Sequence, residues 1–174
     1  MAIIKPNNNT ISAITALPAA IPTGKVLQVV STTKTDTTTV NINANTFVDI
    51  GLSVNITPSS SSSKIFVKAS VTYSINNNTY GTLGGIRLAR GSTGIGIGGN
   101  DGSSYTVVGD GSTATWLAVT APLQFLDSPS STSELTYKVQ AKQNIGGTET
   151  FVSNGKKNSE ASGSSTITVM EIAG

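Results

Sequence analysis

The sequence predicts an all-β protein: an antiparallel jelly roll or β-sandwich, residues 25–174, preceded by an extended N-terminal arm, residues 1–24. Three observations predict it. From Phe47 to Ile75 apolar residues alternate with polar ones, first on even positions (Val48, Ile50, Leu52, Val54, Ile56) and then on odd ones (Ile65, Val67, Ala69, Val71, Tyr73, Ile75). Side chains alternate faces along a strand, so each run buries one face and wets the other. About eight to ten such short runs follow one another, separated by Gly, Pro, Asn and Ser clusters, with no sustained helical period. The first 24 residues lack either period and carry three of the six prolines (Pro6, Pro18, Pro22).

In chain order, the arm comes first. Ile11 to Ala20 could form a helical turn or two, which Pro18 and Pro22 stop. Such a segment orders only by docking, on its own domain or on a partner, and Ile3, Ile4, Ile11, Ile14, Leu17 and Ile21 are the apolar side chains that would anchor it. Val26 to Val30 reads as a strand covered on both faces. Ser31 to Thr39 reads as a Thr-rich connection and Val40 to Ala44 as an edge strand. The two runs within Phe47 to Ile75 read as a strand pair joined through Thr57-Pro58 and Ser59 to Ser63. Asn76-Asn77-Asn78 signals a turn, Gly85 to Arg90 a strand, and Gly91 to Ser104 a glycine-rich loop. Thr106 to Val108 is a short strand. Thr115 to Ala121 and Leu123 to Leu126 are two apolar runs split by Pro122. Leu135 to Ala141 alternates cleanly and should form a hairpin with Thr150 to Ser153. Thr166 to Ile172 closes the chain, apolar on both faces apart from Glu171, and is expected to lie beside Val26 to Val30 at the centre of a sheet.

Composition removes several kinds of chemistry. With no Cys and no His, the chain lacks thiolates, zinc–thiolate ligands, disulfides and the commonest general base. The net charge of +2 comes from eleven basic and nine acidic residues scattered along the chain, which is no nucleic-acid footprint. Charged residues make up 11% against a usual share of about a quarter, so the polar surface is mostly Ser, Thr, Asn and Gly. That suits either a β protein with polar loops or one packed against copies of itself. No run is apolar and long enough to insert in a membrane, and no basic region followed by an apolar core marks a secretory signal.

Candidate motifs resolve to structure rather than catalysis. Gly94-Ile95-Gly96-Ile97-Gly98-Gly99 satisfies G-x-G-x-x-G in letters, but Asn100-Asp101-Gly102-Ser103 follows as a turn, where a nucleotide site needs a helix. Asp101 and Asp110 are turn-formers, too few for a hard cation. Trp116 sits in an apolar run and is read as core. No cofactor or metal is expected. Arg87 and Arg90, the only arginines, and Phe66, the one apolar residue on an otherwise polar strand face, are candidates for a subunit contact.

Several segments together resemble a known family. They are Gly24-Lys25-Val26-Leu27-Gln28-Val29-Val30, Gly51-Leu52-Ser53-Val54-Asn55-Ile56-Thr57-Pro58 with the following Ser63-Lys64-Ile65, and Ile86-Arg87-Leu88-Ala89-Arg90-Gly91-Ser92. Phe125-Leu126-Asp127-Ser128-Pro129, Leu135-Thr136-Tyr137-Lys138-Val139-Gln140 and Ser165-Thr166-Ile167-Thr168-Val169-Met170-Glu171-Ile172 complete the set. The chain resembles, over most of residues 24–174, the small fibre-like or structural virion proteins of marine and cyanobacterial tailed phages. The resemblance implies a non-enzymatic virion component, assembled in the host cytoplasm, with a jelly roll similar to the trimeric C1q-like and tumour-necrosis-factor-like domains. The expected form is a homotrimeric short fibre or knob whose arm joins it to other virion proteins of the tail, portal vertex or capsid. In that form the loops holding Asn77, Asn78, Tyr80, Asn100 and Tyr105 are the candidates for binding a host-surface glycan or receptor. A capsid decoration protein is the alternative, and a small glycan depolymerase the enzymatic one. The chain has no long shaft or repeat, so it departs from an elongated fibre.

Overall fold

The computed structural model describes residues 24–44, 46–75, 83–98, 102–103, 105–108, 118–143, 148–155 and 163–174, with backbone only at 83 and 105–108. Through them run β1 (Val26–Lys34), β2 (Thr38–Asn43), β3 (Val48–Ile56), β4 (Lys64–Ile75), β5 (Leu83–Arg90) and β6 (Thr93–Ile95). They are followed by β7 (Tyr105–Val108), β8 (Val119–Asp127), β9 (Leu135–Gln143), β10 (Thr148–Ser153) and β11 (Ser165–Ile172). The expected arm, with Ile3, Ile4, Ile11, Ile14, Leu17 and Ile21, lies outside the described residues except for Gly24, as does Trp116.

All pairings are antiparallel and fall into two sheets. In the first, β4 is flanked on one side by β8 and on the other by β11 along its first half and β10 along its last residues. Outside these lie β1, paired with β11, and β2, paired with β10. Thus β10–β11 and β1–β2 are two long strands, each interrupted once at the same level. The second sheet runs β3–β9–β5, and β6 and β7 share the far side of β5. Counting the interrupted strands once, four strands face four, and the chain crosses from sheet to sheet at nearly every connection. That is jelly-roll topology, the all-β solution with two Greek keys.

The periodicity explains which face each strand buries. Ile50, Leu52, Val54 and Ile56 of β3 face Ile65, Val67 and Val71 of β4 and Ile167 and Val169 of β11 across one apolar core. Tyr137 and Val139 of β9, Ile86 and Leu88 of β5, Leu123 of β8 and Phe151 of β10 complete it. Each such side chain contributes about 1.5–3 kcal/mol by leaving water.

Several expectations need correction. β3 and β4 are not a pair: they lie in opposite sheets, and Thr57 to Ser63 crosses between them. Leu135–Ala141 and Thr150–Ser153 likewise belong to different sheets, because β10 finds its partners in β2 and β4. β1 runs on through the Thr-rich stretch to Lys34, since β-branched Thr fits a pleated ladder as well as Val does. It neighbours β11 as expected, but as an edge strand with Val26, Leu27 and Val29 exposed. β8 continues straight through Pro122, which an edge strand tolerates because the missing N–H can face away from its one partner. Gly94 belongs to β6, which turns back on β5 at Gly91-Ser92, so no helix follows the glycine motif among the described residues.

Candidate functional site

The most unusual surface is the outer face of the first sheet. Odd-numbered residues of β4 point into the core, so even-numbered ones point out. Register then sets Phe66 opposite Met170 on one side and Leu126 on the other, and Met170 opposite Val29. The result is an apolar row, Val29–Met170–Phe66–Leu126, lying straight across four strands. Val29 is 56% exposed and Leu126 47%. Beside it runs Val26–Ile172–Lys64 on one side and Ser31–Thr168–Lys68–Gln124 on the other. Further along, the face is hydroxyl-rich: Ser31 Oγ lies 2.9 Å from Thr168 Oγ1, and Thr72 Oγ1 lies 2.9 Å from Thr120 Oγ1. On the outward positions of these four strands, Lys64 and Lys68 are the only charges. A contiguous apolar row on a nearly uncharged sheet face is what contact surfaces present.

The outer face of the second sheet is different: its polar groups satisfy one another. Asp49, Gln140 and Arg87 stand in one row across β3, β9 and β5. Lys138 Nζ reaches Asp49 Oδ2 at 2.7 Å, and Gln140 Nε2 donates to Asp49 Oδ1 at 2.8 Å. Burial raises the Asp49 carboxyl, but the Lys138 and Gln140 donors outweigh it and leave it below its ordinary value. Gln140 Oε1 in turn accepts from Arg87 Nε and Nη2 at 3.0 and 2.9 Å. The Arg87 guanidinium lies 3.7 Å over the Phe47 ring, and Lys142 Nζ lies 5.0 Å from that ring.

Of the residues expected at a subunit contact, only Phe66 therefore stands on the apolar row. Arg87 belongs to the network just described. Arg90, at the end of β5, donates through Nη1 to Asp127 Oδ2 at 2.7 Å, and Tyr137 Oη donates to the same oxygen at 2.7 Å. This ties the two sheets at one end of the sandwich. Burial, then the Asp127 carboxylate, raises the Tyr137 hydroxyl well above its ordinary value, so it stays a donor. Tyr137→Phe should cost about 1.5–2 kcal/mol, the scale of a hydrogen bond to a charged group, measured as a shift in the urea midpoint at constant slope.

The polar face expected on the Phe47–Ile75 run divides between two surfaces. Asp49, Ser53 and Asn55 lie on one side of the sandwich, and Lys64, Lys68, Ser70 and Thr72 on the other. Of the candidate receptor residues, Asn77, Asn78, Tyr80 and Asn100 lie outside the described residues, while Tyr105 opens β7 opposite Ile86. Val29, Met170 and Leu126 were not singled out from the sequence, since nothing in it says that three distant strands share a row with Phe66. Among the described residues no group of His, Cys, Asp or Glu is placed to hold a metal ion. No helix among them is long and apolar enough to cross a membrane.

No family model matches the chain, and no curated protein does. Among solved structures, it is similar to the infectious bursal disease virus Gt strain structure, with 12% identity and a TM-score of 0.42 over 86% of this chain and 39% of that one. It is also similar to the crystal structure of the infectious bursal disease virus VP2 subviral particle, with 12% identity and a TM-score of 0.40 over 84% of this chain and 37% of that one. The chain thus spans about two fifths of the length of those chains. At this identity and these scores, neither likeness carries a functional conclusion.

Proposed function

We propose that this chain is a non-enzymatic structural protein of a bacteriophage particle, a homotrimeric short fibre or knob whose subunits meet through the outer face of the first sheet. The observation that carries the self-association is the row Val29–Met170–Phe66–Leu126 across four strands whose outward positions hold only two charges, Lys64 and Lys68. An exposed apolar row gains by burial, and a closed ring of three copies buries it without leaving a free end to propagate. The low overall charge, 11% of residues, removes the repulsion that would oppose such packing. The placement in a phage particle rests on the sequence resemblance. In this reading residues 1–24 join the trimer to other virion proteins, and the loops around Asn77, Asn78, Tyr80, Asn100 and Tyr105 face a host-surface glycan or receptor.

Light scattering on a sizing column tests it. The full chain should run as a trimer, and Phe66→Asp as a folded monomer at the same concentration. Ser53→Asp, on the opposite face, should leave the trimer intact. A monomeric parent protein, or a Phe66→Asp variant that remains trimeric, would sink the proposed contact. Removing residues 1–24 should leave a folded trimer that no longer joins the particle.

A further inference from the structure

The chain has one Asn-Gly pair, Asn154-Gly155, and it sits where the strand formed by β10 and β11 is interrupted. Asn154 has φ +58°, in the left-handed region that Asn tolerates better than most residues, and no exposed surface. Every hydrogen-bonding atom it has is engaged. Its backbone N–H donates to Thr72 O at 2.8 Å, and its carbonyl accepts from Gly163 N at 2.8 Å. Its Nδ2 donates to Lys34 O at 2.8 Å and to Asp36 O at 3.0 Å, while Oδ1 accepts from Ser165 Oγ at 2.6 Å. One carboxamide thus joins the interruption in β10–β11 to the facing interruption between β1 and β2. The next residue is held as well, with Gly155 O accepting from Ser74 Oγ at 2.8 Å.

We propose that Asn154-Gly155 is a latent site of covalent self-modification, a succinimide-forming pair that the fold keeps silent. The reaction needs only the chain and water. The Gly155 backbone nitrogen attacks Asn154 Cγ, an N–C bond forms, and the Cγ–Nδ2 bond breaks. The nitrogen's proton leaves with the amide as ammonia. Water then opens the five-membered ring to aspartate or isoaspartate. Glycine favours the attack because it has no Cβ to hinder the approach of its nitrogen. In the folded protein, turning the Asn154 carboxamide breaks three side-chain hydrogen bonds. The reaction is therefore confined to molecules in which the junction has opened, and its rate follows the open population.

The change is also one-way. In the product a carboxylate oxygen replaces Nδ2 and meets the Lys34 and Asp36 backbone carbonyls, a charged acceptor against two acceptors at a position with no exposed surface. Isoaspartate further lengthens the backbone by one carbon directly after the last residue of β10.

The full-length protein tests this directly. It is incubated in mildly alkaline buffer, folded in one sample and in denaturant in another, and conversion is followed by mass spectrometry of the peptide containing Asn154. The unfolded chain should convert at least about tenfold faster than the folded protein, the difference reflecting the small open population. Gly155→Ala, followed in denaturant so that its folding is irrelevant, should slow conversion severalfold. After denaturant is removed, the converted fraction should stay out of the folded pool. Equal rates in folded and unfolded samples, or an unfolded chain that does not convert, would overturn the proposal. Full refolding of converted chains would overturn its one-way character.

Discussion

Phe151→Ala is expected to lower the free energy of unfolding by about 3–5 kcal/mol, the range for removing a buried aromatic ring. Phe151 has no exposed surface and stacks on Tyr73, also fully buried, with ring centroids 5.0 Å apart and planes 14° apart. It stands opposite Val40 on β2 and Ile75 on β4, so it joins three strands at the level where β10 replaces β11. Among the described residues, β10 meets β4 through Phe151, Val152 and Ser153, and the buried ring adds its packing to that ladder. For a domain whose total stability is about 5–15 kcal/mol, such a loss is severe. Urea denaturation of the variant and the parent protein at equal concentration checks it. A loss below about 1.5 kcal/mol would mean that the neighbours close the space, and that the stack is not the anchor of β10. Phe66→Ala, by contrast, should barely change the intrinsic stability of one subunit, because that ring faces outward.

Acid should weaken the fold through Glu171. Its parity on β11 turns it inward, and it has no exposed surface. Burial alone would raise its carboxyl. The donors around it overcome that: Ser59 N at 2.8 Å and Ser59 Oγ at 2.6 Å on one oxygen, and Gln28 Nε2 at 2.6 Å on the other. Together they hold it at about 2, down from the ordinary 4.5. Gln28 Nε2 also donates to Thr57 O at 2.8 Å, so the group fastens the crossing from β3 to β4 onto the edge of the first sheet. A carboxyl lower in the folded than in the unfolded chain binds its proton more readily once unfolded. Its stabilisation is therefore complete above about pH 4.5 and disappears as pH falls through about 2. A shift of this size corresponds to at most about 3 kcal/mol. Glu171→Gln should abolish this part of the acid dependence: between pH 6 and pH 2.5, roughly that window, the parent should lose more stability than the variant. Parallel curves for the two proteins would show that Glu171 does not carry the effect.

Much of the fold is legible in the residues because strand periodicity survives irregularity. β3 shows why. Asp49 and Ser53, four positions apart, stand opposite Gln140 and Lys138, only two apart, so β3 carries two extra residues there. Gly51, with φ +78°, makes the bulge possible. Because the extra residues number two, parity is kept, and Ile50, Leu52 and Val54 all still point inward. The core could thus be read correctly while the bulge stayed invisible. Partner choice was legible only for the first and last strands, β1 and β11. An apolar alternation says that a strand has a buried face and says nothing of which strand donates to its edge, so the adjacent runs 48–56 and 64–75 read as a pair although they oppose each other across the core. Glu171 did leave a signal, as the one charged residue of the terminal strand. Asn154 left only its glycine neighbour.

What the sequence determined by itself was the class and the inward-facing residues: two-residue periodicity and breakers between short runs lead to an all-β chain with one buried face per strand by local stereochemistry. What only the tertiary structure decided was everything that depends on register between distant segments. Phe66 was visible as an exception on one strand. It became part of a surface only when Val29, Met170 and Leu126 were brought beside it from 37, 104 and 60 positions away along the chain. Such juxtapositions are set by the closure of two sheets around a common core, a cooperative property that no single segment encodes.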